Sequence, residues 1–428
     1  MSLERRSTFI HGVVLPGYKS ATENEPITAL PPPDKVFICT SRHIGKPAKP
    51  IVNIGDKVKK GQLIAVADGF VSANYHASVS GTVKAVSCLH TARGKADFIV
   101  IENDFSLEEA LLDEVDAKNP EQIISAIKNA GIIGLGGAGF PSHVKYSPQN
   151  PVDTLVVNCA ECEPFLTCDH RVLEERLDDV VAGARLASIA LNGANIVFGV
   201  EENKPEIIKR LAQKDGVKVV PLIVKYPQGS EKQLIYACTG RKVGLGKLPA
   251  SVGVVVQNAQ TVLKIFECVM LRKPLTERVM TVSFDGKTGK NLTVPVGTPL
   301  SVIKDFCVEG GEWEKVIAGG PMMGKALSSL NDYTGKADSG LLFLGRKTTD
   351  LREPTACINC ARCAAACPML LSPMYIDLYT VRGEYEKAAL YGAEACFECG
   401  ACAYVCPAKR DIVGSARIAK AKLKGLKR

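Results

Sequence analysis

Two cysteine runs constrain this chain more than any other feature: "CINCARCAAACP" from Cys357 and "CFECGACAYVCP" from Cys396. Each reads C-x2-C-x2-C-x3-C-P. That is the run of bacterial two-cluster ferredoxins, in which the fourth cysteine serves the other cluster. The expected ligand sets are therefore crossed. Cys357, Cys360 and Cys363 go with Cys406, and Cys396, Cys399 and Cys402 go with Cys367. Three thiolates two residues apart on a tight loop can face three corners of one cubane. The longer spacing swings the fourth outward, and the proline stops the chain folding back. Soft thiolates select iron–sulfur or zinc. Zinc sites generally use two separated C-x-x-C pairs instead. The expectation is two 4Fe-4S clusters held close together, as an electron relay requires. Between the runs, "LLSPMYIDLYTVRGEYEKAALYGAEA" carries a Ser372-Pro373 helix start and punctuating Gly383 and Gly392. Such an inserted helix pair points to an α-helical ferredoxin domain.

The remaining composition narrows the class. Eight of the sixteen cysteines lie in these runs, and the N-terminus lacks the apolar region of an export signal. Clustered thiols in a reducing compartment bind metal or do redox chemistry rather than form disulfides. A length of 428 residues accommodates two to four domains. There is no apolar run of the roughly 18 residues needed to cross a bilayer. The net charge of +8 suits an anionic surface, an acidic protein or a phosphorylated ligand. With a single tryptophan, Trp313, and no basic run interleaved with aromatics, nucleic acid is not an expected partner.

Four domains are expected. Residues 1–104 comprise an arm and a set of short strands, with glycine-turn hairpins around Gly55-Asp56 and Gly81. They resemble the barrel-sandwich fold of lipoyl and biotinyl carriers. The tip, "ADGFVS" from Ala67 to Ser72, lacks the carrier lysine, so docking or structure is the expected role. In residues 105–275, "NPEQIISAIKNAG" forms a helix closed by Gly131. Strands "DTLVVN", "ANIVFGV", "VKVVPLIV" and "VGVVVQN" then alternate with helices at Leu173–Leu191 and "KPEIIKRLAQK", giving an α/β domain. Residues 276–348 give a hairpin from Met280 and a helix capped by Thr298 with Pro299 first, a β-grasp unit. Residues 349–428 are the ferredoxin domain. Its basic, amphipathic end, "RIAKAKLKGLKR", is read as a solvated helix end, with a lipid or acidic-partner contact as the minority reading.

The stretch "GIIGLGGAGFPSHVK" contains Gly134-x-Gly136-x-x-Gly139, the dinucleotide-binding spacing. A Rossmann turn needs a strand before the glycines and a full helix after them. Here a helix precedes, and only "SHVKYSPQN" separates the loop from the next strand. The expected function is a phosphate cradle of another kind. Consecutive glycines let backbone N–H groups converge on an anion, and Lys145 adds a full charge. Cys159, Cys162 and Cys168 are spaced too irregularly for a third metal site and are expected to be packed or flavin-lining. Cys39, Cys88, Cys238, Cys268 and Cys307 are read as interior residues.

"GLGGAGFPSHVK" followed by "NCAECEP" resembles the NADH- and flavin-binding fold of the complex I flavin subunit. The whole chain is more similar to the C-subunit family of the Rnf electron-transport complex, in which the same four domains follow in the same order. The resemblance implies that Gly136, Gly137, Gly139 and Lys145 hold a flavin mononucleotide (FMN) phosphate. It implies that Asn158 and Glu161 hold the ribityl chain and ring, and that Gln257, Asn258 and Thr261 bind the flavin again. Phe140 would stack on NAD(H), with Glu163 and Glu231 orienting its polar groups. Leu135 and Ser142 replace an arginine and a threonine common in complex I, and Ala160 replaces an acid. Cys159 stands where a small residue is usual, which would bring its thiol near the flavin ring.

The function implied is electron exchange between NAD(H), FMN and two 4Fe-4S clusters, in a membrane complex that pumps sodium ions or protons. The partners implied are a ferredoxin-like B subunit, integral membrane subunits and, indirectly, ferredoxin, with this chain peripheral on the cytoplasmic face. Soluble relatives of similar architecture are the alternative: a cobalamin reductase, or the electron donor of amino-acid reductases. A docking protein with clusters but no flavin is a third reading.

Overall fold

The computed structural model describes residues 7–307, 312–350 and 352–426. The last two residues of the basic C-terminal stretch, Lys427 and Arg428, lie outside the described residues. Apolar, β-branched runs make four fully parallel strands, in spatial order Val217–Leu222, Asn195–Glu201, Thr154–Cys159, Val254–Asn258. The chain starts at Thr154, steps outward twice on one side, then returns to the other side of its first strand. The order thus reverses between Thr154–Cys159 and Val254–Asn258, where Asn158 and Asn258 are register partners. In open α/β sheets the crevice beyond the carboxyl ends at such a reversal is where ligands bind. Helices Pro120–Asn129, Leu177–Ala190 and Ala259–Met270 pack together on one face. Glu231–Thr239 covers the other through Leu234, Ile235 and Cys238.

The expected long helix from Leu173 is two helices, Cys168–Glu175 and Leu177–Ala190. They part at Arg176, whose φ of −131° leaves the helical region. Its guanidinium is held by Asp179 and by Glu267 of a neighbouring helix, contacts local periodicity does not reveal.

Two small sheets enclose Val36, Ile38, Ile64, Tyr75, Ile99 and Ile101 as a barrel sandwich. Its hairpins differ from expectation. Gly55 does turn the chain, but the flanking strands pair elsewhere, Lys49–Pro50 with Leu63–Val66 and Lys57–Val58 with the strand that Gly81 begins. The long hairpin, Gly81–Thr91 with Gly94–Asn103, reverses at Ala92-Arg93. That turn lacks Asn-Gly or Asp-Gly chemistry. Contacts across domains anchor it, from the Arg93 guanidinium to Asp332 and Asp338, each at 2.7 Å. The outer half of this hairpin extends beyond the core, so Cys88 is exposed, not interior.

A six-stranded sheet follows, in the order Ile27–Ala29, Thr288–Pro295, Glu277–Phe284, Gly340–Leu344, Lys315–Ala318, Lys325–Leu327. The helix Leu300–Cys307 covers it. Thr298 does not cap that helix as expected. Its hydroxyl donates to the Pro295 carbonyl at 2.8 Å, and the Leu300 amide is satisfied by the Asp332 carbonyl. The edge strand Ile27–Ala29 comes from the N-terminal arm and pairs in parallel with Thr288–Pro295. Earlier arm residues lie on the α/β and ferredoxin domains, not on the barrel sandwich.

Candidate redox site

The glycine loop is a closed turn, not a Rossmann turn. It follows the helix Pro120–Asn129, is pinched by an antiparallel bridge between Ile133 and Pro141, and leads into a helix of four residues, Ser142–Lys145. It nevertheless sits at the sheet's reversal point. Leu135 N–H donates to Thr261 Oγ1 at 3.0 Å, and a Cβ on Gly136 would lie 2.8 Å from Asn258 Nδ2. Gly139 has φ +68°, in the left-handed region that favours glycine. Gly136, Gly137 and Ala138 are exposed, and among the described residues their amides find no acceptor. A row of unused N–H groups on an exposed turn is a nest for an anionic group, so the loop fits a phosphate.

Around it, Asn258 caps the helix Ala259–Met270 by accepting from Gln260 N–H, while its Nδ2 donates to Asp169. Asn158 accepts from Ala160 N–H and donates to the Gly229 carbonyl. Gln257 and Thr261 are buried. Phe140 is half-buried, and its carbonyl takes the Gly134 amide. The Lys145 ammonium lies 2.7 Å from Glu231 and 3.0 Å from the carbonyl of Val256, the middle residue of the strand Val254–Asn258. Glu231 begins the helix Glu231–Thr239, which local periodicity does not announce.

The two acids of "AECEP" face inward. Glu161 accepts from Asp169 and His170 N–H, so it holds the start of the helix Cys168–Glu175. Glu163 accepts from Met322 and Met323 N–H, tying this loop to the β-grasp sheet. Burial pushes both carboxyls up to about 7. Cys159 and Cys168 are buried, and Cys162 accepts from Gly229 N–H. Burial raises all three thiols.

The cysteine runs form two cradles. One is lined by Cys367, Cys396, Cys399 and Cys402; the other by Cys357, Cys360, Cys363 and Cys406. The grouping crosses the runs, with Cys367 beside the second run's first three cysteines and Cys406 beside the first's. Asn359 and Glu398, then Ala361 and Gly400, occupy equivalent places in the runs, and all four have positive φ. These left-handed residues fold each run into a tight loop. Four thiols around one cavity fit a cubane cluster. Ile412 lines both cradles, so they share a wall.

The cradles meet the rest of the molecule differently. Cys399 packs with Tyr226, Val13, Cys162 and Met322, and the Tyr226 hydroxyl donates to the Cys399 carbonyl at 2.6 Å. Gln233 donates to the Pro368 carbonyl. Both linings lie within the ferredoxin domain, but the other cradle has exposed Cys357 and Cys360. We call the first inner and the second outer.

Comparison with known proteins agrees with this architecture. The RnfC barrel sandwich hybrid domain matches residues 7–106, the Nuo51 FMN-binding domain residues 127–267, and the 4Fe-4S dicluster domain residues 349–407. The C subunit of the proton-translocating ferredoxin:NAD(+) oxidoreductase complex of Clostridium ljungdahlii is 44% identical over 89% of this chain and 86% of that protein. The chain belongs to the C-subunit family of the Rnf complex. The Na(+)-translocating counterpart of Acetobacterium woodii, at 40% identity, covers 98% of both chains. The C subunit of the ion-translocating oxidoreductase complex of Pseudomonas aeruginosa is 36% identical over 89% of this chain but 51% of its own length. Among solved structures, an NAD+-reducing [NiFe]-hydrogenase in the H2-reduced state covers 72% of this chain and 62% of its own, with a TM-score of 0.49 and 19% identity. In this Rnf protein an FMN-binding domain and a 4Fe-4S dicluster domain thus share one polypeptide. Among the described residues, no helix is long and apolar enough to cross a membrane.

Proposed function

We propose that this chain is the NAD-binding electron-input and electron-output subunit of an ion-translocating ferredoxin:NAD oxidoreductase. When bound, FMN exchanges a hydride with NAD(H) and single electrons with 4Fe-4S clusters, the chemistry that links a two-electron carrier to one-electron carriers. The protein's share is binding, orientation and electrostatics. Gly136, Gly137 and Gly139 hold the FMN phosphate with backbone amides, and Lys145 supplies positive charge beside them. Asn158, Gln257, Asn258 and Thr261 line the crevice at the sheet's reversal, and Glu161 fixes its floor. Phe140 and Glu231 serve the nicotinamide nucleotide. The Glu163 carboxylate, taken up by two amides, serves this site by holding the β-grasp loop in place. Cys367, Cys396, Cys399 and Cys402 hold the inner cluster, and Cys357, Cys360, Cys363 and Cys406 the outer one.

The observation that carries this reading is the packing of Cys162, next to Glu161 and Glu163, in one apolar cluster with Cys399. A flavin-side loop and a cluster ligand thus share a wall. The outer cradle's exposed Cys357 and Cys360 suit hand-over to a partner, which this reading takes to be the ferredoxin-like B subunit of a complex on the cytoplasmic membrane face. Purified protein reconstituted with FMN, iron and sulfide is expected to show flavin absorbance and to reduce ferricyanide with NADH in preference to NADPH. Failure to retain flavin, or indifference to NADH once flavin is bound, overturns the assignment. Retention of both activities with no binding to membranes carrying the other subunits favours a soluble relative.

A further inference from the structure

The N-terminal arm reaches the inner cradle, and no sequence motif announces it. Val13 and Tyr226 exchange two backbone hydrogen bonds, at 2.9 and 2.8 Å. Lys225 donates to the Phe9 carbonyl at 2.8 Å and sits 4.4 Å from the Phe9 ring centroid, and Phe9 is buried. From this anchorage Gly12 N–H donates to the Ala366 carbonyl at 3.2 Å, and His11 Nδ1 meets the Cys367 carbonyl at 3.3 Å. The Tyr226 hydroxyl meets the Cys399 carbonyl. Cys367 comes from the first cysteine run and Cys399 from the second. One short segment and its anchor therefore hold both halves of a single crossed ligand set. The outer cradle has no such attachment among the described residues.

We propose that Phe9–Val13 and Tyr226 form a strap that positions the inner cradle against the flavin domain, and that the Tyr226 hydroxyl tunes the cluster held there. This rests on the functional reading above. Tyr226 is 1% exposed, so truncating its hydroxyl would leave the Cys399 carbonyl desolvated and without this donor. A phenol keeps its proton at neutral pH, so the hydroxyl donates to this carbonyl. The positive end of the O–H dipole lies beside a ligating cysteine and favours the form of the site with more negative charge, the reduced one. Outer partners of metal ligands typically matter by tenfold or more.

The test is Tyr226→Phe in the full chain loaded with FMN and iron–sulfur, followed by redox titration with EPR. Flavin and iron content should match the parent. The midpoint of one cluster should fall by about 59 mV, a tenfold shift of a one-electron equilibrium. That cluster should be the one lost in Cys399→Ala, and the other midpoint should stay in place. Unchanged midpoints, or a shift confined to the cluster lost in Cys360→Ala, overturn the tuning role. The strap itself is tested by a truncation removing residues 1–14. Hydrogen exchange should rise at Ala366–Pro368 and Cys399–Ala401 while Cys357–Cys363 keeps its parent rate. Equal exchange in all three segments overturns the strap, and this decides the matter even where a variant loses iron. A parent protein that holds both clusters but does not react with NADH sinks the functional reading and leaves these comparisons intact.

Discussion

The inner and outer cradles share one sequence pattern and one backbone trace, with left-handed residues at the same two places, yet they differ in nearly everything around them. The inner one rests on Tyr226, Cys162, Met322 and the arm; the outer one presents two exposed cysteines and an exposed Ile358. The motif therefore dictates ligand geometry, and the surroundings dictate role. Burial and hydrogen bonding around cluster ligands are the means by which a protein sets potential and access. A repeated motif with unequal burial gives a relay an inside and an outside end.

The sharpest way to break this comparison is ligand removal. Cys399→Ala and Cys360→Ala should each cost half the iron, but only Cys399→Ala should also loosen the domain junction, read as faster proteolysis between the β-grasp and ferredoxin domains. Equal protease sensitivity would erase the distinction. Cys406→Ala should abolish the same EPR signal as Cys360→Ala, and loss of the other signal contradicts the crossed cradles. Next in size is Gly136→Ala, whose added methyl meets Asn258 at under 3 Å. It should lower flavin affinity by more than tenfold with iron unchanged in both cradles. Lys145→Ala should weaken flavin retention by about tenfold, the worth of one charge-assisted hydrogen bond. Iron loss in either variant would mean that the flavin site and the inner cradle are not separable.

The smallest effect concerns pH. Glu163 ties the flavin-side loop to Met322, whose carbonyl a Cβ on Gly400 would approach at 2.9 Å. Its carboxyl is raised by burial from an ordinary 4.5 to about 7. The folded chain thus holds this proton to higher pH than the unfolded chain does. The resulting stabilisation is full below about 4.5 and is lost as pH rises to about 7. Glu163→Gln should flatten the fall in melting temperature between pH 5 and 7, and a slope equal to the parent's would exclude this group. Lys336, lowered by burial to about 7, acts in the opposite sense, adding stability as pH rises from there towards 10.5.

What could be read in the sequence followed from how local its cause is. The cysteine runs, the four buried strands and the helix capped by Asn119 are specified by neighbours in the chain. The break at Arg176, the turn at Ala92-Arg93 and the uncapped start at Leu300 escape local reading because their partners are remote: Glu267, Asp332 with Asp338, and the Asp332 carbonyl. The glycine spacing suggested a Rossmann turn, and the flanking residues correctly argued against one. What the spacing could not convey is that the loop still ends at the sheet's reversal point, since that depends on the order in which strands assemble. The arm gave no periodic signal, as its contacts are divided among the α/β, β-grasp and ferredoxin domains.

The strand Ile27–Ala29 carries one more consequence. Its partner strand holds Asn291, whose side chain meets the Thr22 carbonyl 269 residues away. During synthesis these early residues leave the ribosome long before anything exists for them to pair with. They must wait, solvated, until the strand Thr288–Pro295 has emerged. The early residues are thus fastened in stages, Val13 to the α/β domain first, Ile27–Ala29 to the six-stranded sheet next, and His11 with Gly12 to the first cysteine run last.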